Sequence, residues 1–210
     1  MVAVIDAYAR LNGPRLGRDR IDPRVLDAMR RVPRHEFVPP AVAALAYADT
    51  PLPIGYGKTI SQPFMVALMT DLLELERKHR VLEVGTGLGY QAAVLGELVN
   101  KVWSVEIVAE LGTEGARRLA AAGYDGVTCR VGDGAQGWPE EAPFDRIIVT
   151  AAPELIPTAL LRQLRPGGRM VIPAGLEGDQ QLILVEKDQA GRIRTQEILA
   201  VSFTSLVVSH

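Results

Sequence analysis

The chain has 210 residues, nearly half of them apolar (48%), and a net charge of −2 with both signs mixed along its length. That fits one medium α/β domain with a substantial core, and the lack of a basic run argues against nucleic acid as an obligatory partner. A single cysteine, Cys129, excludes an intrachain disulfide and a multi-cysteine metal site; no window is apolar enough to span a bilayer, and no basic-then-apolar leader opens the chain, so it reads as soluble and cytoplasmic.

Residues 1–60 are irregular in pattern. A short helix is expected over 22–31, with Asp22 as N-cap and Pro23 in its first position. Residues 32–40 then break regular structure. Residues 49–60, rich in Pro and Gly, read as a connection without secondary structure of its own, lying over a ligand site.

Thr59-Ile60-Ser61-Gln62-Pro63-Phe64 opens a second helix, because Phe64, Leu68, Leu72 and Leu75 recur at helical spacing. Ser61 is the natural N-cap, its oxygen accepting the Phe64 N–H. Its hydroxyl proton stays available, and a helix start favours an anion, so Ser61 can both cap and hold a substrate carboxylate.

Val81-Leu82-Glu83-Val84-Gly85-Thr86-Gly87-Leu88-Gly89-Tyr90 is the most informative stretch. An apolar strand runs into three alternating glycines and then a helix. A dinucleotide fingerprint would place its third glycine one residue later. The loop therefore suits an adenosine ligand without a pyrophosphate, with S-adenosylmethionine as the leading candidate, or is a bare strand–helix turn.

Beyond it, short apolar runs alternate with amphipathic stretches. Strands are expected at 81–84, 102–105, 127–131, 146–150 and 170–172, and helices at 91–98, 108–122 and 156–164. Such alternation predicts a doubly wound, mainly parallel sheet. Pro166-Gly167-Gly168 reads as a helix-to-strand turn. Strands at 181–186 and 197–203, joined by a polar hairpin, close the sheet in antiparallel fashion. The division expected is one domain over 1–210, with 1–60 as a cap, 61–175 as the cofactor-binding core and 176–210 as the closing strands.

Two acids sit at strand tips. Glu106, 21 residues after Gly85, either accepts both ribose hydroxyls or is a solvated strand end. Asp133, between Gly132 and Gly134, either accepts from an adenine amino group or forms an ordinary Asx turn. His79 reads as part of a solvated, charged helix end, His35 as a structural or surface residue, and Cys129 as a small buried hydrophobe. With so few candidate bases, a carboxylate acceptor is attractive, since it is already ionised near neutrality.

Several segments together resemble the bacterial type of the protein-L-isoaspartate O-methyltransferase family: Arg34-His35-Glu36-Phe37-Val38-Pro39, Tyr47-Ala48-Asp49, 51–55, 59–63, 81–94, 131–134, 143–152 and 163–169. The resemblance implies a Rossmann-like class I methyltransferase. Its implied reaction moves a methyl group from S-adenosylmethionine to the free α-carboxylate of L-isoaspartyl residues in damaged proteins and peptides. Re-formation of a succinimide then starts their repair. It implies Ser61 as the active-site serine, Thr59, Ile60 and Gln62 beside the substrate, and Gly85, Thr86, Gly87 and Gly89 around the methionine end. Glu106 takes the ribose position, and Asp133 with Gly134 the adenine side. No metal is implied, and a monomer is favoured. Leu88 stands where the family commonly has serine and Lys58 where glutamine is usual; the closing strand reads Phe203-Thr204-Ser205-Leu206, and the chain ends at His210. A class I methyltransferase with another substrate, or a cofactor binder without turnover, are the alternative readings.

Overall fold

The computed structural model describes residues 1–16 and 20–208. Helix α1 (Val2–Leu16) leads to α2 (Pro23–Arg31). The Asp22 carboxylate accepts the Arg24 N–H at 2.8 Å, and Pro23 takes the first helical position, as its fixed φ favours. Tight turns at Arg34–Phe37 and Pro40–Leu45 follow.

Strands β1 (Leu52–Gly55) and β2 (Lys58–Ile60) form an antiparallel hairpin, with Leu52 opposite Ile60 and Pro53 opposite Thr59. This corrects the expectation of a connection without secondary structure over 49–60. Gly55, Tyr56 and Gly57 all have positive φ, and the two central turn residues, Tyr56 and Gly57, lie at 54° and 66°. That is the left-handed pair a two-residue hairpin needs, and here a tyrosine occupies the first place.

Helix α3 (Pro63–Leu72) is buried on every side, all ten residues included. Strand β3 (Arg80–Val84) and helix α4 (Tyr90–Leu98) flank the glycine turn; β4 (Lys101–Glu106), α5 (Ala109–Ala121) and β5 (Val127–Val131) continue the alternation. Then come β6 (Phe144–Val149), α6 (Thr158–Gln163), β7 (Leu164–Leu176), β8 (Asp179–Lys187) and β9 (Ile193–Val201). The sheet order is β5-β4-β3-β6-β7-β8-β9, parallel from β5 to β7 and antiparallel for β8 and β9. This is the doubly wound fold expected. Helix α6 starts two residues later than expected because Pro157 forms its boundary. The Pro166–Gly168 segment lies within β7, where the pairing with β6 shifts register and Gly167 has φ 77°, rather than separating helix from strand.

The inner strands are apolar on both faces. Val81, Val102 and Ile148 pack with α1–α5, while Leu82, Trp103, Val105, Ile147 and Val149 pack with Leu160 and Leu164. By this alternation Glu83 and Ser104 face the α1–α5 side, and both have zero exposure. β3 and β6 are neighbours whose onward connections run in opposite directions. Their carboxyl ends therefore mark the crevice where such sheets bind ligands.

His79 is not a solvated residue. It is buried, and its Nδ1 accepts the Glu76 N–H at 3.0 Å, which closes the turn before β3. Cys129 is half-buried against the core, and burial pushes its thiol up to about 12, which leaves it inert. His35 is exposed and pairs with the Tyr47 hydroxyl at 2.7 Å. His210 lies outside the described residues. No described helix is long and apolar enough to cross a membrane.

Candidate functional site

Gly85 leaves β3 with φ 99°, and its N–H donates to the Val105 carbonyl at 2.8 Å. A Cβ there would collide with Thr150 Oγ1, which donates toward the Val84 and Gly85 carbonyls at 3.1 and 2.9 Å. Gly87 has φ 54°, and a Cβ on it would meet Ile54 Cδ1 of the hairpin at 3.1 Å. Bare backbone thus faces the crevice at both positions.

Glu106, at the tip of β4, is buried. One carboxylate oxygen accepts the Gly87 N–H at 2.8 Å and the other the Val108 N–H at 3.0 Å. Both oxygens retain acceptor capacity toward a ligand. Asp133 accepts the Ala135 N–H at 2.9 Å and so starts the short turn Gly134–Gln136. Gly134 lies against Val84, where a Cβ would clash.

These residues surround two adjoining cavities of about 500 and 360 Å³. The larger is lined by Gly85, Gly87, Glu106 and Gly134, with the hairpin on one side and Thr204–Val207 on the other. The smaller is lined by Gly85, Thr86, Gly87, Ile60, Ser61 and Gln91. A third, of about 910 Å³, runs beside Ser61, Gln62, Phe64 and the end of β9. Thr59 and Thr150 line all three. Of the anticipated residues, Thr59, Ile60, Ser61, Gln62, Gly85, Thr86, Gly87, Glu106 and Gly134 are therefore brought together. Gly89 is not on these walls. It has φ 101° at the start of α4, and a Cβ would press on Leu119 Cγ at 2.9 Å, so its visible role is helix packing. Asp133 shapes the turn that presents Gly134.

Ser61 does not cap α3, contrary to expectation. The N-cap position is Gln62, and Asp49 accepts the Phe64 N–H at 2.8 Å and the Gln62 side-chain amide at 2.9 Å. A residue twelve positions upstream of Ser61 outcompetes the local oxygen, which frees the serine from that duty. The Ser61 carbonyl accepts from Arg34 Nη2 at 2.8 Å.

Beneath the turn, the Thr86 hydroxyl meets Ser104 Oγ at 2.5 Å, and Ser104 donates in turn to Glu83. Burial raises Glu83 to about 8, against the pull of the Ser104 hydrogen bond and with help from the neighbouring Glu106 charge. Glu83 is therefore mostly neutral at pH 7, a dry support rather than a base.

Thr150, Gln91, Arg34 and Asp49 were not anticipated as site residues. Thr150 was readable in principle. It follows the fourth parallel strand, and the rule that ligands collect at strand tips applies to that tip as to the other three. Among the described residues no cluster of histidine, cysteine or acid side chains suits a metal ion.

The sequence pattern of the family described as protein-L-isoaspartate(D-aspartate) O-methyltransferase matches residues 15–210. The chain belongs to this family. It is 56% identical to protein-L-isoaspartate O-methyltransferase 1 of Polaromonas sp. over 206 residues, covering 98% of this chain and 87% of the relative. The identity is also 56% with the corresponding enzyme 2 of Syntrophobacter fumaroxidans, covering 100% and 85%. Among solved structures, a protein-L-isoaspartate O-methyltransferase superposes with TM-score 0.83 at 28% identity, over 98% of this chain and 65% of that one. A putative Plasmodium falciparum member, in complex with S-adenosyl-L-homocysteine, gives 0.79 at 26% identity, over 95% and 97%. Within this family frame, Leu88 is a buried wall residue of the smaller cavity, and Lys58 reaches across the larger one to the Ser205 carbonyl at 3.4 Å.

Proposed function

We propose that the two adjoining cavities hold S-adenosylmethionine and that the third holds the acceptor, an L-isoaspartyl residue whose free α-carboxylate is brought to Ser61. The observation that carries this reading is the meeting of all three cavities at Thr59 and Thr150, with Ser61 on the walls of two of them. Family membership fixes the reaction as methyl transfer to the isoaspartyl carboxylate.

The residues present fit the donor. Glu106 offers carboxylate oxygens to a vicinal hydroxyl pair, glycine backbone leaves room for close approach, and Thr86 and Gln91 line the smaller cavity. When bound, S-adenosylmethionine supplies an electrophilic methyl group on a cationic sulfur. The protein's task is to bind and orient. No charged side chain lines the 360 or 910 Å³ cavities among the described residues, so no general base faces the acceptor. None is needed, because the carboxylate arrives ionised. Ser61 donates a hydrogen bond that fixes one carboxylate oxygen, a role left open to it because Asp49 already takes the Phe64 N–H at the start of α3. Catalysis then reduces to alignment and exclusion of water. The resulting ester re-forms the succinimide more readily than the free acid does, which opens the route back to aspartate. A cytoplasmic setting and a monomeric enzyme complete the reading.

The test is a pair of peptides identical except for isoaspartyl or normal aspartyl linkage, offered with labelled donor. Labelling confined to the isoaspartyl peptide is expected. Equal labelling of both, or of neither, defeats the assignment.

A further inference from the structure

Arg34 has no solvent exposure, yet it forms no ion pair with a carboxylate within 4 Å among the described residues. Its Nε donates to the Ala46 carbonyl and its Nη2 to the Ser61 carbonyl, each at 2.8 Å. The guanidinium lies 4.8 Å from the Tyr90 ring centroid, and Nη1 has no hydrogen-bond partner. Burying a cation costs much more than two carbonyl bonds require, since neutral donors would satisfy them equally. Burial does pull Arg34 down, to about 10, but that still leaves it charged at neutral pH.

The acceptor groove poses the matching problem. It has to take an anion, and neither of the cavities that touch Ser61 presents a lysine or arginine on its wall. The cation nearest in the network stands one peptide behind that wall. A trans peptide directs its N–H opposite to its carbonyl, so with the Ser61 carbonyl on Arg34, the Gln62 N–H points away from the guanidinium. The fully buried charge polarises that peptide and sharpens its positive end. Asp49, the carboxylate whose charge acts on Arg34, is already occupied by the Phe64 N–H and the Gln62 amide.

We propose that Arg34 is a positioning residue for the acceptor: from behind the Ser61 carbonyl it holds the Ser61–Gln62 peptide and supplies the positive charge that the groove walls lack, so that the site prefers an ionised carboxylate to a neutral group of the same shape. This rests on the reading of the groove as the isoaspartyl site.

The test compares wild type, R34K and R34M, each saturated with S-adenosylhomocysteine. The probes are an isoaspartyl peptide and the same peptide with its α-carboxylate converted to the carboxamide. Calorimetry is expected to show wild type binding the carboxylate about tenfold or more tighter than the amide, a preference that falls to roughly twofold in R34M and largely survives in R34K. S-adenosylhomocysteine affinity is expected to stay within about twofold throughout. A purely structural role would weaken both peptides equally and leave their ratio intact. An unchanged ratio in R34M, or a ratio lost in R34K although the charge is kept, overturns the proposal. If R34M does not fold, R34K decides: a retained ratio supports the proposal and a lost one refutes it. Failure of the wild type to prefer the isoaspartyl peptide over its aspartyl twin would instead refute the assignment of the groove itself.

Discussion

The two sides of the crevice, which we assign to the donor and to the acceptor, are assembled in different ways. On the donor side Gly85, Thr86, Gly87, Glu106 and Gly134 sit at or just past the ends of three adjacent parallel strands, β3, β4 and β5. Each is placed by the strand that precedes it, and Glu106 ties the glycine turn to β4 through the Gly87 N–H. On the acceptor side Ser61 is placed by residues distant in sequence: Asp49 at the helix start, Arg34 at the carbonyl, Thr150 from β6 and the 199–204 segment along the groove. A site built on strand tips tolerates little backbone change, whereas one built from long-range hydrogen bonds fails one function at a time. Substitutions on the two sides should therefore separate donor binding from acceptor handling.

The largest effect is expected at the donor turn. Gly85→Ala places a side chain at φ 99° and pushes Thr150 Oγ1 off the Val84 and Gly85 carbonyls. Strain and the loss of the one hydroxyl proton Thr150 shares between those carbonyls are together expected to weaken S-adenosylhomocysteine binding by about 100-fold or more. Calorimetry reads this directly. Wild-type affinity in this variant would show that the turn does not shape the donor site.

Ser61→Ala comes next and should act only on the other side. Loss of one hydrogen bond to a charged acceptor lowers kcat/KM for an isoaspartyl peptide by about 10- to 100-fold. S-adenosylhomocysteine affinity should change by no more than about twofold: Ser61 borders the smaller donor cavity, but the glycine turn and Glu106 form most of that site. A parallel loss of donor affinity would merge the two sides and break the comparison.

The same contrast explains what could be read in the sequence. The donor side was legible because each strand, its glycines and its terminal acid are contiguous. Short apolar runs place β3, β4 and β5, and the residues that follow the first two runs, Gly85 and Glu106, fall at the crevice. The acceptor side was legible only in part, as the segment around Ser61. Ser61 as an N-cap followed from local rules, and Asp49 displaced it because a carboxylate twelve residues upstream is brought to the same N–H. No periodicity encodes that approach. The hairpin at 52–60 was obscured for a related reason: Pro53, the preceding Pro51 and a tyrosine at positive φ disguise strands that are only four and three residues long. His79 looked solvated because charged neighbours surround it in sequence, whereas in space it tucks its ring under the Glu76 N–H.

Glu83 offers a smaller test beneath the donor turn. Its carboxyl is held at about 8 rather than 4.5, so the folded protein keeps a proton that the unfolded chain releases above pH 4.5. Stability from this site is complete below about 4.5 and is lost as pH rises toward 8. Glu83→Gln should cancel that slope and leave donor affinity near wild type at pH 7, because a neutral group replaces a mostly neutral one. Melting curves from pH 5 to 9 are expected to show wild type losing roughly 5 °C or more relative to the variant. Parallel profiles would mean that Glu83 is ionised in the fold, with the Thr86–Ser104 chain carrying a charge beneath the turn.

The smallest effect belongs to α2, which touches neither side of the crevice directly but packs on both α3 and α4. Asp22→Ala removes the acceptor for the Arg24 N–H and the partner of the Arg24 guanidinium. The Asp22 backbone N–H still donates to Asp71, and Arg24 still reaches the Leu75 carbonyl, so the helix loses its cap but keeps its seat. A lost cap costs about 1 kcal/mol, or roughly 2–4 °C in Tm for a chain of this size. The Arg24 hydrogen bonds hold Asp22 below the usual carboxylate range, so its contribution is present above about pH 4 and fades as the carboxylate is protonated in stronger acid. Donor affinity and peptide kinetics should both be untouched. Were either to move, α2 would have to be transmitting strain into α3, which follows Ser61, or α4, which follows the glycine turn. The direction of the change would then say which of the two helices yields first.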